Sequence, residues 1–254
     1  MPKVKMGVFA DREVGAEVVD FLLKHYPDDV AVVVITDYDA LPASVLRRNH
    51  FDDSRIFLND ELKSEDGQNP LIEFCLDYII LAWWPYIVKK DILSIPHKGV
   101  LNFHPSYLPH CAGKHPNFWS IVEKRPFGGT IHFADEGIDS GDIVVQRKID
   151  ISWEDTGKTL YEKGKQELVK LFVENYPRIR TGEITHFPQN KSVGSFHYGR
   201  EMFEKIKLDL DQAYKLRDLL NLLRAKTFPP YEGCYFEDDG KIYDVRVNIS
   251  QRKT

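Results

Sequence analysis

Residues 30–36 (VAVVVIT) are apolar and almost wholly β-branched, with no polar residue before the closing threonine. A strand of that kind has no face to offer water. It belongs in a sheet covered on both sides, and such sheets are mostly parallel with helices as crossovers. Residues 4–10, 78–82 and 100–103 are further short apolar runs. After the first of them, residues 11–15 read as a turn. Val14, Val18, Phe21 and Leu22 then recur at helical spacing until Pro27 stops the helix. The strand and helix alternation predicts an α/β sheet, mostly parallel.

Later segments modify that plan. Residues 41–69 are polar and mixed and predict short helices and loops; residues 71–76 look helical. Residues 116–124 form a helix with Pro116 in its first turn. Residues 130–134 and 143–149 read as two strands of an antiparallel hairpin, joined through the turn formers DEGIDSGD. A helix starts at Asp155 or Thr156, presents Leu160, Gly164, Leu168, Leu171 and Phe172 on one face, and ends at Pro177. Beyond Gly182 the character changes. Residues 183–210 are polar and irregular, 212–224 form an amphipathic helix, and 234–236 and 242–249 are strand-like. The expected organisation is a catalytic domain over 1–185 and a small C-terminal subdomain over 186–254.

The chain has 254 residues and a formal net charge of −5, with 34 Lys and Arg against 39 acids. A broad grip on nucleic acid would need a basic surplus, so a large RNA substrate is disfavoured. Cys75, Cys111 and Cys234 are too dispersed for a disulfide framework or a metal motif. No run approaches about 18 apolar residues, so no membrane span is expected. The opening residues lack the apolar core of a signal peptide. These features point to a cytoplasmic protein.

Two clusters carry chemistry. The first is Asn102-Phe103-His104-Pro105-Ser106-Tyr107-Leu108-Pro109. Residues two apart in an extended segment share a face, so Asn102 and His104 point together. An amide and an imidazole side by side supply an oxyanion donor and a proton-transfer group. The plainer alternative is that both satisfy backbone groups at a turn. The second cluster runs from His132 to Asp142. Asp139 could reach a neighbouring imidazole, where a carboxylate favours the charged ring and orients it. The plainer alternative is a solvated acidic loop.

Together NFHPSYLP, GGTIHFA and DEGIDSGD resemble, in order and spacing, the formyltransferases that use N10-formyltetrahydrofolate. The resemblance implies a Rossmann-like α/β sheet, mostly parallel with a late antiparallel hairpin, plus the small C-terminal subdomain. It implies Asn102, His104 and Asp139 as the catalytic residues. Asn102 would bond the formyl oxygen, His104 would stabilise the same charge and move a proton, and Asp139 would hold His104. Trp83, Trp84, Tyr86 and Ile87 fall on the loop that grips the pterin, with His132, Asp135 and Ile138 beside the folate; core packing is the alternative for the two tryptophans. The family often has Arg before Gly113, where this chain has Ala112. Members that act on purine precursors also lack that Arg, and Lys114 or His115 could take over a phosphate contact.

LRAKTFPPYEG, with FHYGRE upstream, resembles most the bacterial sugar N-formyltransferases. These act on dTDP-linked 3- or 4-amino-dideoxy sugars for surface polysaccharides. The resemblance implies Ser106, Tyr107, Lys114, His115, Arg224, Phe228 and Tyr231 as contacts to a nucleotide-linked amino sugar. It also implies a reduced folate as co-substrate, no metal, no nucleic-acid partner, and a homodimer. The alternatives are formyl transfer to glycinamide ribonucleotide or another small amine, a formyltetrahydrofolate hydrolase, and an idle nucleotide-sugar binding module. A metal hydrolase built on His97, His104, His110, His115 and His132 is a further rival, although their spacing fits no familiar ligand motif.

Overall fold

The computed structural model describes residues 4–62 and 69–252. Residues 63–68, part of the stretch expected to hold short helices and loops, lie outside them. The apolar runs become strands and the periodic segments become helices: β1 (Met6–Ala10), α1 (Arg12–His25), β2 (Val30–Ile35), α2 (Leu41–Arg48), β3 (Ile56–Leu58), β4 (Tyr78–Ala82), α3 (Lys90–Leu93) and β5 (Gly99–His104). There follow β6 (Ala112–Gly113), α4 (Pro116–Val122), β7 (Phe127–Phe133), β8 (Ile143–Ile149) and α5 (Gly157–Thr181). The C-terminal elements are β9 (Phe196–His197), α6 (Gly199–Lys205), α7 (Leu216–Lys226), β10 (Cys234–Asp238) and β11 (Lys241–Val245).

Seven strands form one sheet in the order β3-β2-β1-β4-β5-β7-β8. The pairs from β3 to β5 are parallel, and β5 with β7 is antiparallel. The sheet is therefore mostly parallel with an antiparallel edge, as the sequence predicts. Strand order reverses between β1 and β4, which marks the crevice where open α/β sheets receive ligands.

Contacts divide the chain into two compact units. The first comprises residues 1–104, 130–145 and 168–189, and the second residues 105–129, 146–167 and 190–254. In the first unit β1, β2 and β4 are buried almost throughout. Val14, Val18, Val19 and Leu22 of α1 share one core cluster with Leu168, Leu171, Phe172 and Tyr176 of α5. Phe9, Val34, Leu71 and Ile79 belong to a separate cluster. In the second unit Phe118, Trp119, Leu160, Leu222, Leu223 and Cys234 form another core. β10 and β11 pair as an antiparallel hairpin, and β6 pairs with β9 in parallel.

Several expectations are corrected. Residues 11–15 do not form a turn, because α1 begins at Arg12, directly after β1. Gly15 makes that abrupt start possible, since a Cβ there would lie 2.8 Å from the Ala10 carbonyl carbon. Pro177 does not end α5, which runs on to Thr181. The last turn is anchored on both sides of the proline: the Tyr176 hydroxyl donates to buried Asp29 at 2.9 Å, and Arg180 donates to both oxygens of the same carboxylate. These bonds compensate for the backbone hydrogen bond that proline removes. Residues 71–76 form a 3-10 turn over Pro70–Phe74, begun by the Asn69 side chain, which accepts from the Leu71 amide. The stretch 183–210 is not wholly irregular, because α6 forms where Glu201 accepts from the Tyr198 amide. The predicted 212–224 helix starts later, at Leu216. β11 stops at Val245, opposite Cys234, where its five-residue partner strand begins.

Helix propensity alone favours alanine over glycine by about 1 kcal/mol inside a helix. Contact with the Ala10 backbone predicts the opposite sign at Gly15. Gly15→Ala is expected to destabilise the protein by about 1–3 kcal/mol, a typical overpacking cost, in urea unfolding. A variant more stable than the parent would contradict the close approach.

Candidate active site

Asn102 and His104 occupy the carboxyl end of β5, in the parallel part of the sheet, and β7 lies on their other side. The register sets Asn102 opposite His132 and His104 opposite Thr130. The Asn102 amide nitrogen lies 3.1 Å from Nε2 of His132 and donates to Oδ1 of Asp139 at 3.3 Å. Nδ1 of His104 lies 3.4 Å from Oδ2 of Asp139. The three residues read as catalytic therefore converge, and His132 joins them. His104 and His132 are buried. Nε2 of His104 is buried as well, and no described residue bonds it. A buried unpaired ring nitrogen costs free energy, and a group that meets it in the working enzyme is one explanation for it.

Hydrogen-bond chemistry fixes the His132 tautomer. Its Nδ1 lies 2.8 Å from the Phe133 carbonyl oxygen, which can only accept, so Nδ1 carries the proton. Burial pushes the His132 pKa down to about 4, with His104 adding to the effect and Asp139 opposing it. Neutral His132 thus presents a lone pair at Nε2 and accepts from Asn102. That bond fixes which end of the Asn102 amide is nitrogen, and the second amide hydrogen goes to Asp139.

Asp139 sits at φ +52°, a left-handed conformation uncommon for a residue other than glycine. The loop around it is tied down. Gln189 donates from Nε2 to the carbonyls of Asp139 at 2.8 Å and Gly141 at 2.7 Å. His186 contacts Asp142 at 2.7 Å, and a Cβ at Gly141 would collide with the Phe133 carbonyl. Gln189 is absent from the sequence reading. It falls in a polar stretch without periodicity, and nothing in that stretch marks it.

Of the other folate-side candidates, Trp83 takes φ +62° and packs on the core, and Trp84 meets Phe9 and Tyr86 edge to face. Both tryptophans thus make packing contacts. Tyr86, Ile87 and Ile138 are exposed. Asp135 accepts from the Gly137 amide and the Ser140 hydroxyl, shaping the loop that carries Asp139.

The acceptor-side candidates lie in the second unit. Phe228 packs its ring against Tyr161 and Tyr231, and Tyr231 is exposed. Lys114 is exposed and Tyr107 partly so, whereas Ser106 is buried. His115 is half-buried at φ +58°, beside Phe203; burial lowers its pKa, and Lys114 and Lys226 lower it further. Arg224 is buried, with its guanidinium committed to Asn221 and to the carbonyls of Ser152 and Asp155. Burial also lowers its pKa. Among the described residues no group of three or more His, Cys, Asp or Glu could hold a metal ion, and no helix is long and apolar enough to cross a membrane.

Residues 9–175 match the formyl transferase family, and residues 201–251 match the N-formyltransferase dimerization C-terminal domain. The chain belongs to the formyl transferase family. It is 30% identical over 191 residues to the methionyl-tRNA formyltransferase of Thermodesulfovibrio yellowstonii, covering 75% of this chain and 60% of that one. The chain thus spans somewhat more than half the length of such curated relatives. A 4-N formyltransferase from Francisella tularensis superposes with a TM-score of 0.79 at 24% identity, over 98% of this chain and 99% of that one. The formyltransferase PseJ from Anoxybacillus kamchatkensis, solved with UDP-4,6-dideoxy-4-formamido-L-AltNAc and tetrahydrofolate, is 31% identical over 79% of this chain and 88% of its own, with a TM-score of 0.58.

A depressed histidine pKa links stability to pH with a definite sign. The unfolded chain takes up a proton at His132 near the ordinary 6.5, and the folded chain not until about 4. The His132 contribution is therefore complete above about 6.5 and is lost as pH falls towards 4. The shift corresponds to roughly 3 kcal/mol. His132→Gln should lose less stability than the parent over that window in urea titrations. Equal losses would contradict a neutral buried His132.

Proposed function

We propose that this enzyme transfers a formyl group from N10-formyltetrahydrofolate to the amine of a nucleotide-linked amino-dideoxy sugar. The observation that carries the reading is the Asn102–His104–Asp139 constellation, with Nε2 of His104 free to meet a reacting group. The neutral acceptor amine attacks the formyl carbon, and the carbonyl oxygen becomes an oxyanion. Asn102 exchanges its longer bond, to Asp139, for that oxyanion. Asp139 accepts from Nδ1 of His104 and so orients the ring. Nε2 of His104 then relays the proton shed by the amine to N10 of the folate, which departs as tetrahydrofolate while the formamide forms. Trp83, Trp84, Tyr86, Ile87, Asp135 and Ile138 line the folate side, and His132 holds Asn102.

The nucleotide-sugar reading is supported by the complex of PseJ with a UDP-linked formamido sugar. Phe228 and Tyr231 supply aromatic surface suited to a pyrimidine base, and Lys114 suits a pyrophosphate. Ser106, Tyr107 and His115 complete the acceptor side, with Arg224 bracing the segment that carries Phe228. Methionyl-tRNA is the competing acceptor raised by the curated relatives. A net charge of −5 offers little general attraction for tRNA. We further assign the enzyme to the cytoplasm, as a homodimer formed through residues 201–251. The exposed Leu216, Ile242 and Tyr243 are apolar surface available to that contact.

Asn102→Ala and His104→Ala should each lower kcat by about 10²–10³, the usual cost of removing one oxyanion donor, in a protein that still folds. Amine-dependent release of tetrahydrofolate reads the rate, and near-normal turnover in either variant would refute the assignment. Tyr231→Ala should raise KM for the nucleotide sugar more than KM for the folate. A change confined to the folate KM would give the C-terminal segment a different role.

A further inference from the structure

The second unit contains a cavity of about 560 Å³ that none of the proposed catalytic residues lines. That volume is in the range of small-molecule sites. Its cationic side chains are Lys124, Arg125, Lys148, Arg217 and Arg224, and Asp150 is the carboxylate in its lining. Rim carboxylates engage two of the cations: Lys124 meets Asp218 at 2.6 Å, and Arg125 lies 3.8 Å from Glu123. A positive surplus remains on a chain whose total charge is negative, so any anion here is held by local groups and not by the general field.

Trp153 gives the cavity an aromatic wall. The Arg217 guanidinium carbon lies 5.1 Å from its ring centroid and that of Arg224 lies 4.9 Å away. Arg224 is fixed by its bonds to Asn221 and to the Ser152 and Asp155 carbonyls, so it forms a rigid floor. Arg217 and Lys148 are exposed, so their side chains can turn towards a ligand. The indole is partly exposed. Cations beside an aromatic wall are the groups a phosphorylated aromatic ligand requires.

We propose that this cavity is a second ligand site, taking a nucleoside diphosphate. Its phosphates bind Lys148 and Arg217, and its base lies against Trp153. The site shares only Arg224 with the acceptor contacts suggested by the sequence, and it stands whether or not the acceptor is a nucleotide sugar.

Calorimetric titration of the full chain with UDP, dTDP and inorganic pyrophosphate tests the proposal. The parent, Tyr231→Ala and the double variant Lys148→Glu/Arg217→Glu are compared. A nucleotide-binding event should survive in Tyr231→Ala and weaken at least tenfold in the double variant. If the nucleotide-sugar reading of the active site fails, the parent shows one event instead of two, and the double variant still loses it. Unchanged affinity and stoichiometry in the double variant would overturn the site. Nucleotides should bind at least threefold more tightly than pyrophosphate, and equal affinities would overturn the role of Trp153. Circular dichroism verifies folding. Should the double variant fail to fold, Arg217→Ala replaces it, with at least threefold weakening expected and an unchanged Kd refuting the proposal.

Discussion

The antiparallel register between β5 and β7 is the constraint on which the proposed active centre depends. It sets Asn102 against His132 and leaves His104 two residues further along the same strand face. A shift of one residue would turn both side chains to the other face of the sheet. The register also places polar groups where water is scarce, so they must satisfy one another. His132 cannot be charged cheaply there, and its neutral form can accept only at Nε2. That requirement orients the Asn102 amide before any substrate arrives. Preorganised polar groups of this kind keep the rearrangement small when charge develops, here the exchange of one hydrogen bond of Asn102.

Asp139 completes the centre from a different kind of element. Its backbone is left-handed and its loop acidic, which by themselves favour a mobile, solvated turn. Gln189, His186 and the tight approach of Gly141 to Phe133 prevent that. The segment that follows α5 thereby holds Asp139 in place. α5 reaches that segment intact because Tyr176 and Arg180 both grip Asp29 across Pro177.

Much of this was legible in the sequence where a single periodicity dominated. The β-branched run that became β2 permitted one reading, and the alternation at Asn102 and His104 placed both on one face. The ordered motifs carried the family. What escaped depended on partners distant in the chain. Pro177 reads as a stop because its local chemistry says so, and only Asp29, about 150 residues earlier, overrides it. Gln189 has no local signature, since its role comes from two carbonyls about 50 residues before it. Arg224 was legible as a cation near an aromatic segment, but its burial against Ser152 and Asp155 was not.

The central claim is that a small nucleotide-linked amine, and not a tRNA, receives the formyl group. Mass spectrometry of the products decides this directly. The enzyme is incubated with N10-formyltetrahydrofolate and, in separate reactions, with dTDP- and UDP-linked amino-dideoxy sugars and with methionyl-tRNA. The account predicts that a nucleotide sugar gains the mass of one CO on its amine while the tRNA stays unmodified. Formylated methionyl-tRNA, with every nucleotide sugar left unchanged, would contradict it.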